Sequence, residues 1–175
     1  MKSKFLAALF LITSMSPIVF AVDGMAVIDM RTAVLSTQVS QNAFKALESD
    51  ADYSANVEKA QALQSERQAL AERLQKEAET LSPQEIGDIQ RNVQEKSKDL
   101  EFIVGKIQSK QTETADKVFR DLNPALQKIL QELIAAKQVK VLLGKETVLF
   151  ADQAMDLTDD VTSMLDVAAK ESADK

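Results

Sequence analysis

Residues 32–81 contain neither glycine nor proline, and the whole chain holds only four Gly and three Pro. A doubly wound sheet or a many-stranded sandwich needs a turn-maker about every ten residues, so this chain has too few to build either. Ala, Gln, Glu, Lys and Leu fill the uninterrupted stretch, and all of them favour helix. Long helices are therefore expected. A first break is predicted where Ser, Thr, Val and Asn cluster at residues 36–42.

The next boundary is sharply marked. Ser82, Pro83 and Glu85 form a capping box with proline at the first helical position. One helix should end near Leu81 and another begin at Pro83, folding back as an antiparallel pair with almost no linker. The second helix is predicted to run to about Lys137. Its apolar stripe comprises Ile86, Ile89, Val93, Leu100, Ile103, Ile107, Val118, Leu122, Ile129 and Leu133, with Lys96 at one seam position. Phe44, Leu47, Val57, Leu63, Leu70, Leu74 and Leu81 offer a thinner stripe on the first helix.

With the turn at Ser82, facing residues should carry numbers summing to about 164. That pairs Leu74 with Ile89, Leu70 with Val93, Leu63 with Leu100 or Ile103, Val57 with Ile107, Leu47 with Val118 and Phe44 with Leu122. The arm would be on the order of 60 Å long. Pro124 lies inside the second helix, where a bend is expected.

Both ends of the chain read as strand. Residues 25–30 form one short β-branched run, and residues 139–143 and 147–151 flank Gly144-Lys145-Glu146 as a β-hairpin. Thr158 caps a last helix over about 158–169. Three short strands cannot close a barrel, and their free apolar edges need partners. A homo-oligomer sharing one sheet or barrel meets that need. Val27, Ile28, Met30, Val141, Leu143, Val148 and Phe150 are the oligomerisation candidates. The predicted fold class is α+β: a small body whose sheet or β-barrel is shared between subunits, carrying one long antiparallel helical hairpin per subunit. Residues 22–42 and 123–175 make the body. Residues 43–122 make the arm, with its tip near 82–83.

Residues 1–21 read as a secretory signal. Lys2 and Lys4 precede an apolar core, Pro17 breaks it, and Val19 and Ala21 place small residues before a cleavage site at Ala21/Val22. Removing the two lysines takes the formal net charge from −6 to −8. In a Gram-negative cell such a signal leads to the periplasm or beyond it. No later segment is apolar enough to span a bilayer.

Catalysis finds little support. The chain has no His, Cys or Trp, which removes imidazole triads, thiol redox chemistry and His/Cys metal sites. Gly144-Lys145 is followed by Glu and lacks the earlier Gly of a phosphate loop. Asp152, Asp156, Asp159 and Asp160 lack the Gly and Glu of a Ca²⁺ loop and read as helix caps. Glu77 and Glu79 sit on a polar helix with nothing apolar to raise a carboxyl pKa. Nucleic acid is an unsuitable partner for an acidic chain with five aromatics beyond the signal. The chain reads as non-enzymatic, with no cofactor and no metal.

Charge is unevenly spread: residues 102–151 carry eight basic against five acidic residues, whereas residues 152–175 are net −5. Lys106, Lys110, Lys117, Arg120 and Lys128 could form a client-facing basic strip, or simply a solvated helix face.

With this order of elements, the chain resembles the Skp/OmpH family of periplasmic chaperones. Met25-Ala26-Val27-Ile28-Asp29-Met30 is similar to the family's first strand. Val141-Leu142-Leu143 with Val148-Leu149-Phe150-Ala151 is similar to its β-hairpin. Pro124-Ala125-Leu126-Gln127-Lys128-Ile129 and Asp156-Leu157-Thr158-Asp159-Asp160-Val161 resemble the returning helix and the start of the last one. The resemblance implies a homotrimer whose three arms enclose a cavity. It implies an ATP-independent holdase for unfolded outer-membrane proteins, working between the translocase and the outer-membrane assembly machinery. Membrane association would be peripheral at most. The acidic net charge departs from the strongly basic enterobacterial members. The competing reading is a coiled-coil spacer or adaptor binding a folded partner, which should show a dry, continuous seam and a sticky tip.

Overall fold

The structure, a computed structural model, describes residues 24–173. The signal segment and its cleavage site lie outside the described residues. Strand β1 (Met25–Ile28) leads into helices α1 (Met30–Leu35), α2 (Gln38–Glu48), α3 (Ala51–Lys76) and α4 (Pro83–Ala136). Strand β2 (Val141–Gly144) follows, and helix α5 (Thr158–Ala173) closes the chain. The protein is mostly helical with one small sheet.

Thr158, expected as the cap of the last helix, is instead the first residue of α5, and its amide donates to Asp156 Oδ1 at 3.0 Å. Helices α1, α2 and α3 each start on a side chain that accepts from an orphan amide. Asp29 accepts from the Thr32 amide at 2.8 Å, Asp50 from that of Tyr53 at 2.8 Å, and Thr37 from that of Ser40 at 3.2 Å. The break expected within 36–42 falls at Ser36-Thr37. A second break, at Ser49-Asp50, was not expected; Asp50 is a strong cap and ends the preceding helix there.

α3 and α4 pack antiparallel. Gln111 Nε2 donates to the Tyr53 hydroxyl at 2.9 Å, and Lys96 pairs with Glu66. Both contacts lie within two of the expected residue-number sum. All ten apolar positions assigned to the α4 stripe are buried or half-buried. Phe44 lines a groove with Gln108, Gln111 and Ala115, and Leu47 lines another together with Val118, its expected partner. The tip differs. α3 ends at Lys76, and residues 77–82 form a turn, because Glu77 accepts from the Thr80 and Leu81 amides and bends the chain before Ser82. α4 passes through Pro124 without a break in the helix.

The sheet is two-stranded and parallel, with Met25 opposite Val141 and Ile28 opposite Gly144. This corrects the β-hairpin reading. After β2 the chain enters a 3-10 turn (Lys145–Thr147), closed by the Val148 amide on the Lys145 carbonyl and the Thr147 hydroxyl on that of Gly144. Residues 147–151 therefore form no strand. Among the described residues, one chain forms no barrel.

The core lies where α4 crosses α1 and α5. Ile28, Ala33, Val34, Val118, Leu122, Leu126, Ile129, Leu133, Val161 and Leu165 make one buried cluster. α5 is tied in by polar bonds as well. The Leu157 amide donates to the Val27 carbonyl at 2.9 Å, Thr162 Oγ1 to that of Ala33 at 3.0 Å, and the Gln38 amide to Asp166 Oδ1 at 2.8 Å.

α4 ends in a Schellman motif, with the Val139 amide on Ile134 and the Gln138 amide on Ala135. Gln138 has φ 53°, a conformation that favours glycine. Gln138→Gly should therefore raise stability by about 1 kcal/mol. A thermal melt checks this, and a lower midpoint for the variant would contradict it.

Candidate oligomer and client surfaces

The oligomerisation candidates separate into two groups. Val27 and Ile28 are buried inside their own chain, so they support the body from within. Met30 is 48% and Val141 44% exposed, whereas Leu143 and Val148 are half-buried. Phe150 is 86% exposed and Leu149 wholly so. Sequence reading missed Leu149 because strand alternation would turn it away from the face of Val148 and Phe150. The usable signal was the unbroken run Val148-Leu149-Phe150 ahead of Asp152.

The two edges of the small sheet are unequal. On its far side β1 meets Asp156 and Leu157, through a parallel bridge at Val27. Among the described residues, no strand pairs with the outer edge of β2. At the C-terminal end of both strands lies a groove of about 610 Å³, lined by Ile28, Met30, Leu142 and Leu143 and rimmed by Asp29, Arg31 and Glu146. The groove and the free edge both belong to the β1–β2 end of the body.

A polar cluster fixes that end. Asp156 Oδ2 accepts from Lys145 Nζ at 2.6 Å, and Asp156 Oδ1 accepts from the Thr158 hydroxyl at 2.5 Å. Thr158 Oγ1 in turn accepts from the Asp29 amide at 3.0 Å. Burial pushes the Asp156 carboxyl up, but the Lys145 and Thr158 bonds outweigh it and hold the pKa below the ordinary value. Asp29 is lowered chiefly by the Thr32 amide, and Glu85 chiefly by the Ser82 amide.

A carboxylate lowered by folding contributes stability above its unfolded pKa and loses it as pH falls through the folded value. The midpoint should therefore hold steady from pH 7 to 5 and fall below about pH 4. Asp156→Asn should flatten that fall. Thermal melts across pH 3–7 check this, and an unchanged acid slope in the variant would contradict it.

At the tip the capping box is complete. The Ser82 amide donates to Glu85 Oε2 at 2.9 Å, and the Glu85 amide to Ser82 Oγ at 3.3 Å, with Pro83 opening the helix. Leu81 is half-buried, whereas Glu77, Glu79 and Glu85 are exposed.

The five basic residues are exposed on α4. Three of them pair along their own helix: Lys110 with Glu113 at 3.5 Å, Lys117 with Asp121 at 2.5 Å and Lys128 with Glu132 at 3.8 Å. Lys106 sits over the Phe102 ring, 4.6 Å from its centroid. Among the described residues, Lys106 and Arg120 have no carboxylate within ion-pair distance. The strip is thus two uncompensated charges rather than five. Among the described residues, no acidic cluster could hold a metal ion, and no helix is long and apolar enough to cross a membrane.

A sheet edge without a strand partner among the described residues thus sits on a small α+β body joined to a long antiparallel helical pair. Residues 24–165 match the family described as Outer membrane protein (OmpH-like). The chain belongs to that family. Among solved structures, an OmpH-like protein from Caulobacter crescentus CB15 is similar at 21% identity, over 96% of this chain and 90% of that one, with a TM-score of 0.47. A search of curated proteins gave no match.

Proposed function

We propose that this protein is an ATP-independent holdase of the Gram-negative periplasm. In this reading it forms a homotrimer through its body and keeps unfolded outer-membrane proteins soluble between its arms until they reach the assembly machinery. Membership of the OmpH-like family supports an outer-membrane-protein chaperone.

The observation that carries the reading is the thinness of the arm's seam. Leu63 is the one buried residue of α3, matched by Ile89 and Ile103 on the facing part of α4. A rigid spacer needs a dry, continuous seam, and a gripping tip needs exposed apolar groups. This arm has neither, and Lys96 enters its seam paired with Glu66. Polar, loosely zipped arms suit a client held by many weak contacts. Leu149, Phe150 and the free β2 edge support assembly through the body.

The test is light scattering from an unfolded outer-membrane barrel protein diluted out of urea, without nucleotide. Suppressed aggregation at equimolar trimer supports the reading. Undiminished aggregation would move the assignment to the spacer.

A further inference from the structure

Phe102 is 63% exposed, and every other exposed position of α4 from residue 84 to 117 is polar or glycine. At about 100° per residue it turns roughly opposite to Leu100 and Ile107. The half-buried Leu100 and Ile107 belong to the stripe that packs on α3, so the chain's own hairpin does not cover the ring. Lys106 lies over the ring and, among the described residues, has no carboxylate partner.

Gly105, on the same side of the helix, adds to this. A Cβ there would meet nothing within 4 Å, so packing does not require glycine, and an exposed glycine disfavours the helix relative to alanine. The fold needs neither an exposed phenylalanine nor an interior glycine here. The ring lies open to solvent with a cation over it, and Gly105 leaves the helix surface about one turn away without a side chain.

We propose that Phe102, Gly105 and Lys106 form a contact patch for unfolded polypeptide segments that carry an apolar side chain next to a carboxylate. The ring takes the apolar group, Gly105 leaves room beside it, and the Lys106 ammonium takes the carboxylate. Charge selects this occupant: of the cations on this face, Lys110 and Lys117 are already neutralised along the helix, whereas Lys106 is not. The inference rests on the holdase reading and names the client segment it would hold.

The test uses the chain from Val22 onward and a fluorescent, unfolded barrel protein diluted from urea. Phe102→Gln should weaken binding on the order of tenfold, with Phe102→Tyr restoring it. Lys106→Gln should reduce the salt dependence of binding. A photo-crosslinking phenylalanine analogue at position 102 should capture the client. Equal affinity of Phe102→Gln and the parent would overturn the patch while the holdase stands. Crosslinking to a second copy of the chain would likewise overturn it. A parent chain that binds no unfolded client would overturn both.

Discussion

Replacing Leu149 and Phe150 together with Ser is expected to leave each chain folded and to convert the proposed homotrimer into monomers. Neither side chain packs into its own chain, so the folded monomer loses no core contact. What is lost is the area they would bury on a neighbour. Covering a Leu or Phe side chain contributes about 1.5–3 kcal/mol, and each copy presents both. Several kcal/mol per interface corresponds to more than two decades in the association constant. Sedimentation velocity at micromolar concentration checks the state of assembly, and far-ultraviolet circular dichroism checks the fold. An oligomer that survives the double substitution would place the interface elsewhere. A chain that unfolds would show that the pair is needed within the monomer.

Leu165→Ala should be among the most damaging single changes to the fold itself. Leu165 is fully buried and belongs to the cluster with Val34, Leu122 and Val161. Truncating such a leucine costs about 2–5 kcal/mol, depending on how far the site can collapse. Domains typically have only about 5–15 kcal/mol in hand. For a chain of this size the melting midpoint should fall on the order of 10 °C. The same truncation at Leu63, in the thin seam of the arm, should cost less, because fewer buried neighbours surround it. Thermal melts of both variants decide this. Equal losses would mean that arm and body unfold as one unit with comparable packing.

The helical part of the fold was legible because its signals are local. The missing Gly and Pro, the Ser82-Pro83-Glu85 cap and the α4 stripe each act within a few turns of the helix that they specify. The antiparallel register followed from the position of the cap, and Tyr53–Gln111 and Glu66–Lys96 agree with it. The break at Ser49-Asp50 escaped because Asp50 sits in a stretch whose composition otherwise reads as continuous helix.

The strands were less legible. Residues 147–151 have the β-branched and aromatic content of a strand, but the 3-10 turn at Lys145–Thr147 replaces the tight hairpin turn that would lay them along β2. The parallel pairing of β1 with β2 joins segments more than a hundred residues apart, which no local pattern encodes. For the candidate surfaces, sequence could place the five cations on one side of α4. It could not show that three of them meet acids one turn away. Phe102 was read only as one aromatic among five, since its exposure depends on which side of α4 the partner helix covers.

The proposed holdase assembles through its body and holds unfolded barrel proteins. Native mass spectrometry of the chain from Val22 onward, alone and with an outer-membrane barrel protein diluted from urea, tests it most directly. The account predicts a trimer that takes up one unfolded client and ignores the same client once folded. A monomer in the absence of client, or a trimer that takes up nothing, would contradict it.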